Sequence, residues 1–360
     1  KCKKLGFEGM GDQAFDTLGD LIRAIPDFLR MGAWRSIHAQ VARHFKNEHL
    51  RTVMSFHPLL IGGNPFSVTA AYALINALER NWGVHSAMGG TGAIVQGLVG
   101  LLKGRGIELH LNAPVQRILV ENGQACGIEL GSGETVRSDI VVSNGDTAWT
   151  YKNLVDARYR RHWSDRRIER GRYSMGLLVW YFGTRRRYEE VPHHMLVLGP
   201  RYKGLLQDIF KRHVLADDFS LYLHRPTATD PSLAPAGCDT FYALAPVPHL
   251  DSGTDWRTQA EPMRRAIEQR LSDTVLPGLR AEVSTSLMMT PQDFHDRLWS
   301  YKGAGFGLEP LLLQSAWFRP HNRSEDLPGL YMVGAGTHPG AGVPGVLMSA
   351  KALEKVVPHA

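Results

Sequence analysis

Leu330-Tyr-Met-Val-Gly-Ala-Gly-Thr-His-Pro-Gly-Ala-Gly-Val-Pro-Gly-Val-Leu-Met-Ser-Ala-Lys-Ala-Leu353 is the stretch whose reading decides the fold. The apolar run from Leu330 to Val333 predicts a buried strand. Gly334, Gly336, Gly340, Gly342 and Gly345 then allow tight turning and close approach to a ligand. Pro344 suits the first turn of a helix, along which Val346, Leu347, Ala350 and Leu353 recur at near-helical spacing. A helix start presents unpaired N–H groups and partial positive charge, so the ligand expected there is electron-rich or anionic. The pattern is not G-x-G-x-x-G, because in Gly334-Ala-Gly336-Thr-His-Pro-Gly340 the third glycine falls one position late. That argues against a plain dinucleotide fingerprint. A tight turn serving no ligand is the competing reading.

Working outward, a second apolar strand ends in Asn144-Gly145-Asp146, a pattern that resembles the carboxyl edge of an α/β sheet, where ligands bind. Before it the spacing predicts short strands over 107–111, 115–121, 124–130 and 134–143, with Asn122-Gly123 as a hairpin turn. Residues 1–104 read as helical. Pro26 is expected to restart a helix, Asn64-Pro65 to begin one that Gly83 ends after Trp82, and Thr91 to open one that ends near Gly104. Trp34, Ile37, Val41 and Phe45 form an apolar stripe interleaved with Arg23, Arg30, Arg35 and Arg43, a pattern suited equally to a bilayer interface and to a helix packed on its own core. Residues 151–299 predict strands over 173–182, 195–198, 219–224, 240–246 and 283–289, and helices over 256–271 and 292–298.

A chain of 360 residues is expected to hold two or three domains, and its 43% hydrophobic and 21% charged residues are those of a globular protein. No window approaches the roughly 18 apolar residues of a membrane span. The net charge of +6 fits solvated basic faces or an anionic membrane surface, and no nucleic-acid motif accompanies it. Cys2, Cys126 and Cys238 are isolated, which points to a reducing, cytosolic compartment and away from a cysteine-rich zinc site. His193-His194 lacks a properly spaced third ligand, so no metal is expected. No G-x-S-x-G elbow supports hydrolysis. The start, Lys-Cys-Lys-Lys-Leu-Gly-Phe, reads as the interior of a longer protein.

The C-terminal stretch closely resembles that of bacterial-type phytoene desaturases, FAD-dependent enzymes of carotenoid biosynthesis in the amine-oxidase-like flavoprotein superfamily. Further segments carry the likeness: Phe56-His-Pro-Leu-Leu-Ile-Gly-Gly-Asn-Pro-Phe66, Leu78-Glu-Arg-Asn-Trp-Gly-Val84, Gly89-Gly-Thr-Gly-Ala93, Phe219-Ser-Leu-Tyr-Leu-His224, Leu244-Ala-Pro-Val-Pro-His-Leu250 and Gln314-Ser-Ala-Trp-Phe-Arg-Pro-His-Asn-Arg323. The resemblance implies an α/β fold with a mixed-sheet substrate domain (151–299), a helical, membrane-facing region (1–104) and an incomplete Rossmann-like FAD-binding domain (105–150 with 300–360). The family's strand, G-x-G-x-x-G turn and helix are expected upstream. It further implies that Gly334, Gly336, Val343 and Pro344 approach the flavin ring and that Val115, Asn144, Gly145 and Asp146 lie near the adenosine half. Asp20 resembles a carboxylate facing the polyene, an acid/base candidate whose competing role is a helix cap. The implied activity is oxidation of C–C to C=C in a lipid-soluble, phytoene-like polyene by an enzyme that is cytoplasmic and peripherally membrane-bound. A carotenoid isomerase, another amine-oxidase-like flavoenzyme, or an inactive membrane-binding fragment are the alternatives.

Overall fold

The computed structural model describes residues 3–358; Cys2 lies outside them. Helix α1 (Leu18–Met31) starts at a reciprocal cap: the Thr17 hydroxyl accepts from Asp20 N–H, and the Asp20 carboxylate accepts from Thr17 N–H. Pro26 does not restart the helix. It sits inside one continuous segment, in which Ala24 and Met31 are buried, and Gly32 in the left-handed conformation ends it. The two short helices that follow are α2 (Ile37–Ala42) and α3 (Glu48–Ser55).

The stripe expected from Trp34 to Phe45 is therefore not one face: Gly32 turns the chain, Ile37 is fully buried and Trp34 is exposed. An apolar row open to solvent lies instead on α1, where Leu18, Ile22, Ile25 and Leu29 fall at spacings that place them along one side. Nor does a helix begin at Asn64-Pro65. The Asn64 side chain accepts from Phe66 N–H, and the segment bridges to residues 36 and 37 before α4 (Leu74–Trp82) forms and ends at Gly83. Helix α5 spans Thr91–Gly104. Residues 107–111 form no strand, since no neighbouring strand pairs with them among the described residues.

Strands β1 (Val115–Glu121), β2 (Gln124–Leu130) and β3 (Thr135–Arg137) make an antiparallel sheet, with Asn122 and Gly123 both at positive φ in the β1–β2 turn. The expected single strand over 134–143 is broken after Arg137, and β4 (Val141–Ser143) leaves that sheet for another partner. A five-stranded antiparallel sheet follows, built from β5 (Gly176–Thr184), β6 (His194–Val197), β7 (Leu221–His224), β8 (Asp239–Val247) and β9 (Val283–Met289) in the order β6-β7-β8-β5-β9. Alternation in β8 buries Phe241, Ala243 and Ala245 in a core shared with Trp180, Phe182 and helix α6 (Trp256–Thr274), which contributes Met263, Ile267 and Leu271. Helix α7 (Pro291–Leu298) leads back to β10 (Leu330–Met332), which pairs in parallel with β4. Helix α8 (Val343–Glu354) closes the chain.

A second core joins Ile118, Val141, Tyr151, Trp163 and Ile168 to Ala304, Leu308, Leu330 and Met332, so residues before and after the large sheet are packed into one body. No described helix is long and apolar enough to cross a membrane.

Candidate active site

The site forms where two distant strands meet. Val141 lies opposite Leu330 and Ser143 opposite Met332, so the 144–146 turn and the glycine loop leave the same edge of the β4–β10 pair. Gly334, at φ 100°, packs where a Cβ would lie 2.5 Å from Asn144 Oδ1, and a Cβ on Gly336 would lie 2.4 Å from Thr147 Cγ2. These two glycines thus permit close packing of one turn on the other. Ser349, on α8, accepts from Gly334 N–H at 2.9 Å and lies 2.6 Å from the Thr337 hydroxyl, while Asn322 Nδ2 donates to Met332 O at 3.0 Å.

Beneath the loop sits Arg319, fully buried. Its guanidinium donates to the carbonyls of Gln314, Ala335, Thr337 and Leu308. A Cβ at Gly340 would lie 2.8 Å from Arg319 Nη1, so glycine is required there for the loop to rest on the cation. In the sequence Arg319 stands inside the segment Gln314–Arg323 with no motif of its own. Its signal, an arginine amid apolar and aromatic residues, does not tell a surface residue from a buried organiser.

Above the loop opens a cavity of about 650 Å³. The loop residues Ala341, Gly342, Val343, Pro344 and Gly345 form one part of its wall. Leu74, Ile75 and Leu78 of α4 with Leu60, Ile61 and Ile94 supply an apolar lining. Further lining comes from His193, His224, Thr229 and Asp230. Glu79 also lines it and pairs with His57 at 3.1 Å, where burial of the imidazole lowers its pKa against the raising effect of the carboxylate.

Of the residues singled out from sequence, Val343 and Pro344 therefore line the cavity, whereas Gly334, Gly336, Asn144 and Gly145 support the turn behind it. Asp146 is committed to the chain: its carboxylate caps the 147–149 helical turn, accepting from Trp149 N–H at 2.9 Å. Burial pushes its pKa up, opposed by N–H donors from Trp149, Tyr301 and Ala148. Val115 opens β1 opposite Leu130 and does not line the cavity. Asp20, expected to face the polyene, does not line this cavity. Asp20 borders a separate surface cleft with Gln13 and Lys355, and its carboxylate is taken by Thr17 and Arg23, as a helix cap requires.

Residues 17–352 match the family model described as flavin containing amine oxidoreductase. The chain belongs to that family. It is 49% identical to the neurosporene-forming phytoene desaturase of Cereibacter sphaeroides over 99% of this chain and 69% of the relative. It is 47% identical to the lycopene-forming phytoene desaturase of Pseudescherichia vulneris over 96% of this chain and 71% of the relative. Within the family it sits with the bacterial-type phytoene desaturases, and it is a flavin-dependent oxidoreductase. A crystal structure of an oxidoreductase from Methanosarcina mazei shares the fold at a TM-score of 0.63, with 19% identity over 89% of this chain and 68% of the other.

The loop suits the family's cofactor on its own chemistry. Helix α8 starts at Gly342 without a side-chain cap, so its first-turn N–H groups are left for an electron-rich partner at the wall of the cavity.

Proposed function

We propose that this chain desaturates a phytoene-like polyene, converting a C–C bond beside a double bond into C=C, with FAD as the flavin. The observation that carries the reading is an apolar cavity walled at one point by the uncapped glycine–helix turn. A hydrocarbon substrate has no ionisable handle, so it must be held by shape in such a space. When bound, FAD supplies the hydride acceptor. The chain's own part is to position and to exclude water. Leu74, Ile75, Leu78 and Ile94 offer the polyene an apolar wall, and the start of α8 offers positive potential to the cofactor's electron-rich edge. Gly334, Gly336, Val343 and Pro344 are proposed on the ring side of the cofactor, and Val115 with Asn144, Gly145 and Asp146 on the adenosine side. The proton leaves to water or to a titratable group facing the cavity, of which Glu79 is one.

Co-expression with a phytoene source followed by chromatography tests the reading. A coloured product with more conjugated double bonds is expected. Unaltered phytoene with normal folding would overturn it, and a product of unchanged oxidation level but altered double-bond geometry would assign an isomerase instead.

We further propose peripheral membrane association at the cytoplasmic face through Leu18, Ile22, Ile25 and Leu29 of α1, flanked by Arg23 and Arg30. A lipid-dissolved substrate requires the enzyme to meet the bilayer, and an amphipathic helix, here with Arg23 and Arg30 paired to Asp20 and Asp27, can lie in the interface. Flotation with anionic vesicles is expected to carry the protein upward. Binding that ignores serine at Leu18, Ile22 and Leu29 sinks this part.

A further inference from the structure

The β6–β7 register places His194 opposite His224, and His193 immediately precedes His194, so three imidazoles converge where sequence spacing alone offered two. One ligand atom from each lies within 4.8 Å of the others. Two of the rings are held from behind: His193 Nδ1 is 2.5 Å from the Thr229 hydroxyl and His194 Nδ1 is 2.5 Å from the Tyr222 hydroxyl. Such a bond fixes ring orientation and leaves Nε2 as the coordinating atom, the arrangement that supports histidine ligands in metal sites. His193 Nε2 and His224 Nε2 stand 2.8 Å apart. The buried Nδ1 of His224 has no hydrogen-bond partner.

We propose that His193, His194 and His224 form a three-histidine site for a late first-row divalent cation, Zn²⁺ being the reference case. Three imidazoles with no carboxylate among them suit zinc, copper, nickel or cobalt and disfavour magnesium and calcium, which require oxygen. At Zn–N distances of about 2.0–2.1 Å, tetrahedral ligand atoms sit about 3.3 Å apart. The 2.8 Å contact must therefore open by about half an ångström and separations of up to 4.8 Å must close toward the same value, with the ion replacing the proton that His193 and His224 share. Desolvation lowers the pKa of all three rings, that of His224 to about 4, which keeps them in the neutral form that binds metal. His193 and His224 also line the cavity, so the fourth coordination position is left for water or for a group entering there.

Titration of tag-free protein with CoCl₂, read by visible absorption, and with ZnCl₂, read by calorimetry, tests the site. The expected result is one ion per chain with the intense ligand-field bands of tetrahedral Co²⁺. Affinity should fall at least tenfold in His224→Ala and in His194→Ala, the latter an exposed residue, with unchanged circular dichroism and melting temperature as the folding check. Tyr222→Phe, which removes only the orienting hydroxyl, should weaken binding about 10- to 100-fold. Absence of the Co²⁺ bands in the wild-type protein, or binding that persists unchanged in His194→Ala, would overturn the proposal.

Discussion

The large sheet and the helical region treat their apolar side chains in opposite ways. In the sheet, Trp180, Leu223 and Ala243 are completely buried, and α6 seals one face with Ile267. On α1 and α5, Leu18, Ile22, Leu29, Val95 and Leu101 are each more than half exposed. The difference teaches that in this chain an apolar stripe predicts a helix and leaves open what the stripe faces. Contiguous apolar surface of this kind marks a place where something else docks.

Breaking the closed side should produce the largest effect. Asp239 is fully buried, paired with buried Arg225 at 2.9 Å, and accepts from Tyr188 N–H and the Thr227 hydroxyl. Asp239→Ala strands the arginine and is expected to lose about 3–5 kcal/mol in urea unfolding. Arg319→Ala leaves four carbonyls without their donor and is expected to lose about 3 kcal/mol or more, with the glycine loop as the site of damage.

Glu309 sharpens the contrast through pH. Burial raises its pKa to about 7, against Arg172, whose guanidinium lies 3.0 Å away. Because the folded pKa exceeds the unfolded value, the native state holds the extra proton. Stability is therefore lost as pH rises from about 4.5 through about 7, by roughly 3 kcal/mol. Glu309→Gln should flatten that slope in melts recorded across the interval; an unchanged slope would assign it to other groups.

Smaller effects follow on the open side. Asp20→Asn should cost about 0.5–2 kcal/mol through the weakened cap and leave product formation intact, whereas an abolished reaction would restore Asp20 as the acid/base residue. Serine at Leu18, Ile22 and Leu29 should change stability by no more than about 0.5 kcal/mol each while abolishing vesicle flotation.

The C-terminal strand, loop and helix were legible because glycine, proline and apolar periodicity all act locally. The Asn122-Gly123 hairpin and the strand over 283–289 were legible for the same reason. What sequence could not supply was pairing. The β4–β10 contact that gathers the site, the cross-strand meeting of His194 and His224, and the burial of Arg319 are set by register and tertiary packing. Strand propensity at 107–111 likewise had no consequence without a neighbour to bond. Asp20 was assigned its acid/base role by analogy, while its capping contact was already spelled locally by Thr17 three residues before it.

The parallel contact between β4 and β10 carries one more consequence, in time. Its two strands flank the whole large sheet in the chain, so they cannot meet until the intervening polypeptide has been synthesised and the long loop between them closed. The core between the sheet and α6 is internal to that insertion and can form first, whereas the opposite face of β5 also packs on Leu59 and Phe66. The glycine corner is then among the last parts to assemble, because a nascent chain that has not reached residue 330 has no β10 for β4 to pair with.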